Sequence, residues 1–393
     1  MSFIRFIAEN LRYYPKCVLI TLFLVFSVSF ALGQVKVRLF SAQSPDFIIF
    51  TVADGEYTFE GYGASVIVFK KNDIVMISKY ENKLAVKPRQ SEGFIVDSIT
   101  FKAVSDNSSF SLRLNTHAQN QATQFYKGDF SCYPDMATIV MINNCNVDDY
   151  IAGVVRTEGG VNRHREYTKA QAIITRTYLY KHFDRHIEDG YNVCDGVHCQ
   201  AFHGITTDAA INLGTKETNN LVILDRDSVL ILSVFHSNCG GMTATSKDVW
   251  VTDLPYLRSV SDPHCVRSRN AVWERKFTIR EWADYLKRYG YTGSTDNTSL
   301  FNFNQNVRLV DYRVGIFTMP FEVIRSDLGL RSAFFSVTAD NNSVTLRGRG
   351  YGHGVGLCQE GAMEMATRGN SYNAIISFYY SGVIVTDLKN AKP

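Results

Sequence analysis

The chain has no block of basic residues. Its 41 Lys and Arg against 38 Asp and Glu leave a net charge of +3 on 393 residues, so nothing marks a nucleic-acid-binding surface. It also lacks a second long apolar run after Cys17 to Leu32, so everything from Gln34 onward is expected to be soluble. Internal repeats and low-complexity linkers are missing too. No Gly-Lys-Ser/Thr ends its glycine-rich stretch, and no frame there reads G-x-G-x-x-G, which excludes the two familiar phosphate-binding loops. A second CxxC element, which would make a zinc reading strong, is absent.

What is present begins with an export signature. Arg5, Arg12 and Lys16 precede the uncharged run CVLITLFLVFSVSFAL, and Ala31-Leu32-Gly33 offers small residues for cleavage, so residues 1–33 read as a secretory signal peptide. An uncleaved anchor is the rival, and it would be the chain's only membrane contact. Cys17 stands before the apolar run, which does not fit a lipoprotein site. Setting it aside leaves Cys132, Cys145, Cys194, Cys199, Cys239, Cys265 and Cys358. In an oxidising compartment most should be paired or metal-bound, and an odd number leaves at least one thiol free or a ligand.

Residues 34–142 favour short β-branched and aromatic strands separated by Asp-Gly, Lys-Asn-Asp and Ser-Asp-Asn-Ser turns. Helices dominate the start of residues 143–393. Asp148 and Asp149 can cap a short helix through Arg156, which Glu158-Gly159-Gly160 breaks. A longer helix is expected from about Glu166 to His186, and its middle, KAQAIITRTYLY, is apolar on nearly every face. Further helices are expected over Arg280 to Arg288 and about Cys358 to Arg368, with strands such as LVILD, SVLILSVF, RLVDYRV, SAFFSVTA and SVTLRG between. The class is α+β.

Four constellations carry chemistry. Glu158 sits on a turn between two helices, where its carboxylate can reach a cleft or pair with Arg176 of the buried helix that also carries Gln171. In RGRGYGHGVGLCQEGA, glycine recurs at 348, 350, 352, 354 and 356. An extended segment of this kind has a bare face, open to a ligand near His353 or to a tight strand crossing. FHSNCGG places His236, Asn238 and Cys239 on a sharp turn. A nucleophilic Cys239 is disfavoured by oxidation and by Cys265, a plausible disulfide partner. NVCDGVHCQAFHG, with His182 and His186 before it, can hold zinc or close a Cys194–Cys199 disulfide.

In this order the pieces resemble the family of stage II sporulation protein D and its relatives, which include proteins described as amidase enhancers. The blocks that carry the resemblance are YIAGVVRTE at 150–158, EYTKAQAIITRTY at 166–178, HSNCGG at 236–241, GYGHGVGLCQEGA at 350–362 and YYSG at 379–382. The resemblance implies an exported envelope protein with a peptidoglycan-binding domain over residues 143–393. It further implies a lytic transglycosylase that cuts peptide-free glycan strands, with Glu158 as catalytic acid and base. Such an enzyme needs one carboxyl group, because the sugar's own C6 hydroxyl closes a 1,6-anhydro ring, whereas ordinary glycosidases use a pair. Gln171, Arg176, His236, Gly240, Gly241, Gly352, His353, Gly354 and Gln359 are the implied substrate contacts. Cys194, Cys199 and His198, or His186 in its place, are the implied zinc ligands. The alternative is a non-enzymatic glycan-binding protein that stimulates a cell-wall amidase. The chain departs from the family at Gly159, where methionine is common, at Cys239, and at Cys358, where serine is usual. A general acid also needs a raised pKa, which an adjacent Arg176 would oppose.

Overall fold

The computed structural model describes residues 33–61, 65–114, 123–136, 138–294 and 297–392. The expected signal segment, residues 1–33, lies outside them but for Gly33. Among the described residues no helix is long and apolar enough to cross a membrane. The fold is α+β, with a β-rich N-terminal region.

The N-terminal strands alternate as their sequence does. Ile48, Phe50 and Val52 of Phe47–Asp54 are buried while the residues between them are not, and Val35, Val37 and Leu39 of Gln34–Leu39 repeat the pattern. Each strand therefore offers one apolar face, and two sheets, seven- and six-stranded, share a core built on those faces. At its centre Phe50 stacks on Phe101 with ring centroids 4.1 Å apart, flanked by Phe110, Phe130 and the edge of Tyr57. The outer strand of the larger sheet comes from far along the chain. Val193–Cys194 runs parallel to Gln34–Leu39, pairing Val37 with Val193 and Arg38 with Cys194. Asp195 then accepts from Ser41 N at 3.0 Å, Ser41 Oγ at 2.7 Å and Phe40 N.

The helices follow: α1 (Val147–Val154), α2 (Arg165–Lys181), α3 (Ala209–Glu217), α4 (Ser246–Trp250), α5 (Ile279–Lys287), α6 (Phe321–Leu328), α7 (Gln359–Thr367) and α8 (Tyr372–Tyr379). Asn146, rather than the two aspartates after it, caps α1 by accepting from Asp148 N at 2.8 Å. The near-continuous apolar character of α2 has a specific cause. Ala172 and Leu179 pack into the sandwich core, whereas Tyr167, Ala170, Ile173 and Ile174 pack into a second core with α7 and α8. The helix ends at Lys181, short of His186, because His182 leaves the helical region at φ −119°.

A third core, around Trp282, Tyr312, Phe321 and Leu346, gathers α5, α6 and a sheet of Val272–Thr278, Ser343–Arg349 and Phe335–Ala339. The strand Ser343–Arg349 delivers the chain into the glycine-rich segment. Helices α3, α4, α6 and α8 were not among the expected elements, and SVLILSVF forms a strand only at Phe235–His236.

Candidate functional site

Glu158 lies on a π-helical turn, Val155–Gly159, that continues α1 and ends at Gly160 with φ 77°. One extra residue per turn swings its side chain off the helix line, a distortion found often at functional sites. The turn grips the loop beyond the cysteine–histidine motif through several bonds. Glu158 Oε1 accepts from Ala201 N at 2.9 Å, Arg156 Nη2 donates to His203 O at 2.7 Å, and His203 N donates to Thr157 Oγ1 at 3.4 Å. From the other side Gln359 Nε2 donates to Glu158 O at 3.0 Å. Burial pushes the Glu158 carboxyl above its usual range, and the Ala201 N–H and the His203 charge only partly oppose this.

The carboxylate opens on a cleft of about 640 Å³ lined also by Tyr178, Cys199, Phe235, His236, Arg325, Tyr351, Gly352, His353 and Gln359. Glu158 is the only carboxylate among the described residues lining it. Both histidines are held neutral by burial, His353 with its pKa lowered to about 4 and His236 well below its ordinary value. His353 Nε2 donates to Phe235 O at 2.9 Å while its Nδ1 accepts from Val355 N at 3.1 Å. His236 Nδ1 donates to Val355 O at 3.0 Å, which leaves Nε2 an unpartnered acceptor. The lining can thus accept and donate hydrogen bonds to a polar ligand and offer one carboxyl proton.

The glycine-rich segment is not the extended strand expected from its alternation. Gly350, Gly352, Gly354 and Gly356 all have positive φ, between 71° and 110°, so the alternation serves a repeatedly left-handed backbone. That backbone crosses the 235–241 turn closely. Phe235–His236 pairs in parallel with Leu357–Cys358, Asn238 bridges Tyr351, and a Cβ on Gly350 would lie 2.5 Å from Asn238 O.

The expected substrate contacts therefore divide. His236, Gly352, His353 and Gln359 line the cleft with Glu158. Arg176 does not: its guanidinium is buried and donates to Asp148 Oδ1 at 3.1 Å, Thr218 O at 2.8 Å, and Thr215 O and Leu221 O at 3.3 Å. It neither pairs with Glu158 nor opposes the rise of that carboxyl's pKa; it ties α1 to α3. Gln171 is buried on α2 beneath Tyr167, whose hydroxyl donates to Oε1 at 3.4 Å. Gly240 and Gly241 line a separate recess beside Phe334 and Arg349, and Gly354 faces the Arg308 guanidinium. Sequence reasoning missed Arg325, Tyr351 and Tyr178. Arg325 comes from α6, which no motif marks. At Gly159, where the family often carries methionine, a Cβ would lie 3.0 Å from the Tyr167 hydroxyl, so Tyr167 fills that space.

Cys194, Cys199, His186 and His198 converge, all four ligand atoms lying within 4.8 Å of one another. Cys199 Sγ lies 3.6 Å from His186 Nε2 and 3.7 Å from His198 Nδ1, and Cys194 Sγ lies 3.9 Å from His198 Nδ1. Both thiols are free. Both histidines are thus in reach, where either one was expected as third ligand. His186 Nδ1 faces Asp189 Oδ2 at 3.3 Å, the outer carboxylate that commonly orients a ligand imidazole. This donor set fits a tetrahedral Zn²⁺.

A family profile described as Stage II sporulation protein matches residues 135–224, the stretch that holds Glu158, α2 and the cysteine–histidine cluster. An uncharacterized protein of Brachyspira hyodysenteriae is 26% identical over 363 residues, 90% of this chain and 93% of its own length. Stage II sporulation protein D of Bacillus amyloliquefaciens is 28% identical over 263 residues, covering 63% of this chain and 76% of that protein. An amidase enhancer of Bacillus subtilis is 25% identical over 289 residues, 60% of this chain and 40% of its own. By its motif order and by these matches, the chain is similar to the stage II sporulation protein D family, most directly over residues 135–224.

Proposed function

We propose that this protein acts in the cell envelope on peptidoglycan glycan strands, as a lytic transglycosylase with Glu158 as its single acid and base. The names of its relatives support a cell-wall role. The observation that carries the finer reading is a half-buried carboxyl with a raised pKa, the only carboxylate among the described residues that line a large cleft. A protonated Glu158 gives its proton to the glycosidic oxygen, and the resulting carboxylate takes one from the sugar's C6 hydroxyl as the anhydro ring closes. Hydrolysis by paired carboxylates would need a second acid, which this lining does not supply. Exposed Tyr351 offers a face for a sugar ring.

His186, Cys194, His198 and Cys199 would hold zinc, whose role with four protein ligands is structural. The chain's own residues explain why that matters: Cys199 lines the cleft and Ala201, two positions on, supplies the N–H that orients Glu158.

The test gives purified protein to peptide-free glycan strands and reads the products by mass spectrometry. Fragments ending in 1,6-anhydro-N-acetylmuramic acid are expected. Reducing ends would overturn the single-acid mechanism. No cleavage, with faster stem removal once an amidase is added to intact wall, would replace it with the enhancer reading.

A further inference from the structure

A second cluster of soft ligands lies away from the cleft, and no motif of the family accounts for it. Cys239, Asp262, Cys265 and Cys358 are all buried, and their ligand atoms lie within 4.8 Å of one another. Cys239 Sγ is 3.3 Å from Cys265 Sγ and 3.3 Å from Asp262 Oδ2. The four come from three separate segments: the turn after Phe235–His236, the loop at 262–265, and the residue that caps α7.

We propose that these four residues bind one zinc ion, or another soft divalent cation of tetrahedral habit, as a closed structural site. Three features point there. Cys358 Sγ accepts from Cys239 N at 3.3 Å and Gly361 N at 3.4 Å, the latter at the positive end of α7; such N–H donors stabilise a metal-bound thiolate. Asp262 is fully buried, and among the described residues no Lys or Arg forms an ion pair with it, so an ionised carboxylate there would need a cation close by. Its oxygens are already oriented, Oδ1 by His264 N at 2.9 Å and Oδ2 by the Tyr379 hydroxyl at 2.9 Å, as carboxylate ligands are in metal sites. A Cys239–Cys265 disulfide would use two of the sulfurs but leave Asp262 and Cys358 without a role.

Thiolate set and closed coordination select zinc and a structural role. Each cysteine releases its proton to solvent as its sulfur binds. The ion ties the turn after His236 to the start of α7, and Cys358 immediately precedes Gln359, which holds Glu158 by its carbonyl. The site thereby fixes one wall of the cleft from behind. This inference does not depend on what Glu158 does.

The experiment measures zinc per chain on the full-length protein by mass spectrometry. Two ions are expected in the wild type, and one should remain in the Cys194→Ser/Cys199→Ser variant. Cobalt exchanged into that variant should show intense sulfur-to-cobalt charge-transfer absorption, lost together with the ion on adding Cys358→Ser. Should the added substitution prevent folding, thiol labelling of the folded Cys194→Ser/Cys199→Ser variant decides. Cys239, Cys265 and Cys358 should become reactive only as a chelator strips the ion. A folded Cys194→Ser/Cys199→Ser protein with no zinc, labelling that ignores the chelator, or a Cys239–Cys265 disulfide found by peptide mapping would each overturn the proposal.

Discussion

Replacing Glu158 by Gln separates chemistry from structure, because the two depend on different atoms of the same side chain. The amide oxygen can still accept from Ala201 N, and the backbone carbonyl still receives Gln359, so the local geometry is kept. What is lost is the proton. Loss of a general acid typically costs ~10²–10⁴-fold in rate, or about 3–5 kcal/mol of barrier. The stability effect has the opposite sign. Burial raises the Glu158 pKa in the folded protein, so its contribution to stability is fully present below the unfolded pKa and lost as pH rises through the folded value. Above the raised pKa the ionised carboxylate is therefore a burden on the fold, and Glu158→Gln should melt no lower than wild type there, gaining on it as pH rises through that value. Wild-type cleavage should itself fall as pH rises through the raised pKa. Release of anhydro ends by mass spectrometry reads the first effect and thermal melts at two pH values the second. A variant that still cleaves at the wild-type rate, or that melts well below wild type at alkaline pH, would refute the reasoning.

Three further outcomes are expected. Arg176→Ala strands buried carbonyls and the Asp148 carboxylate, so it should cost ~3 kcal/mol or more in chemical denaturation while the molecules that remain folded cleave normally. Gly350→Ala demands a left-handed alanine whose Cβ meets Asn238 O at 2.5 Å, so a loss of more than ~2 kcal/mol is expected from the backbone conformation and the clash together. Chelation of the wild type should slow strand cleavage, and zinc should restore it, with a fluorescent binding assay showing glycan affinity changed less than rate.

Much of the molecule was legible because local patterning and tertiary need agree there. The period-two alternation of Phe47–Asp54 reports a sheet with one buried face, and the all-round apolarity of α2 reports a helix between two cores. Where the reading failed, a distant partner decided. Nothing local in KAQAIITRTYLY tells Arg176 to turn toward Thr215 and Thr218 instead of Glu158, because those carbonyls come from α3 and the residue after it. The glycine alternation was read as an extended strand, since periodicity records spacing and not the sign of φ. Arg325 reaches the cleft from α6, part of the third core, and no motif links that helix to Glu158.

The chemistry assigned to the cleft follows from the protons its walls can move near neutral pH. Burial holds His353 and His236 neutral, each with one ring nitrogen committed to a backbone carbonyl. They shape and bind but cannot serve as acids. Cys199 would be committed as a metal ligand in the proposed zinc site. That leaves Glu158, whose burial favours the protonated form that a glycosidic oxygen requires and whose single Ala201 N–H bond steadies the carboxylate once the proton has gone. For a lone group of this kind the proposed route takes its nucleophile from the substrate, the C6 hydroxyl of the sugar, within the same ring. Under the proposed function the cleft is matched to an intramolecular closure, and the anhydro products expected of it follow from the second carboxylate that its described lining lacks.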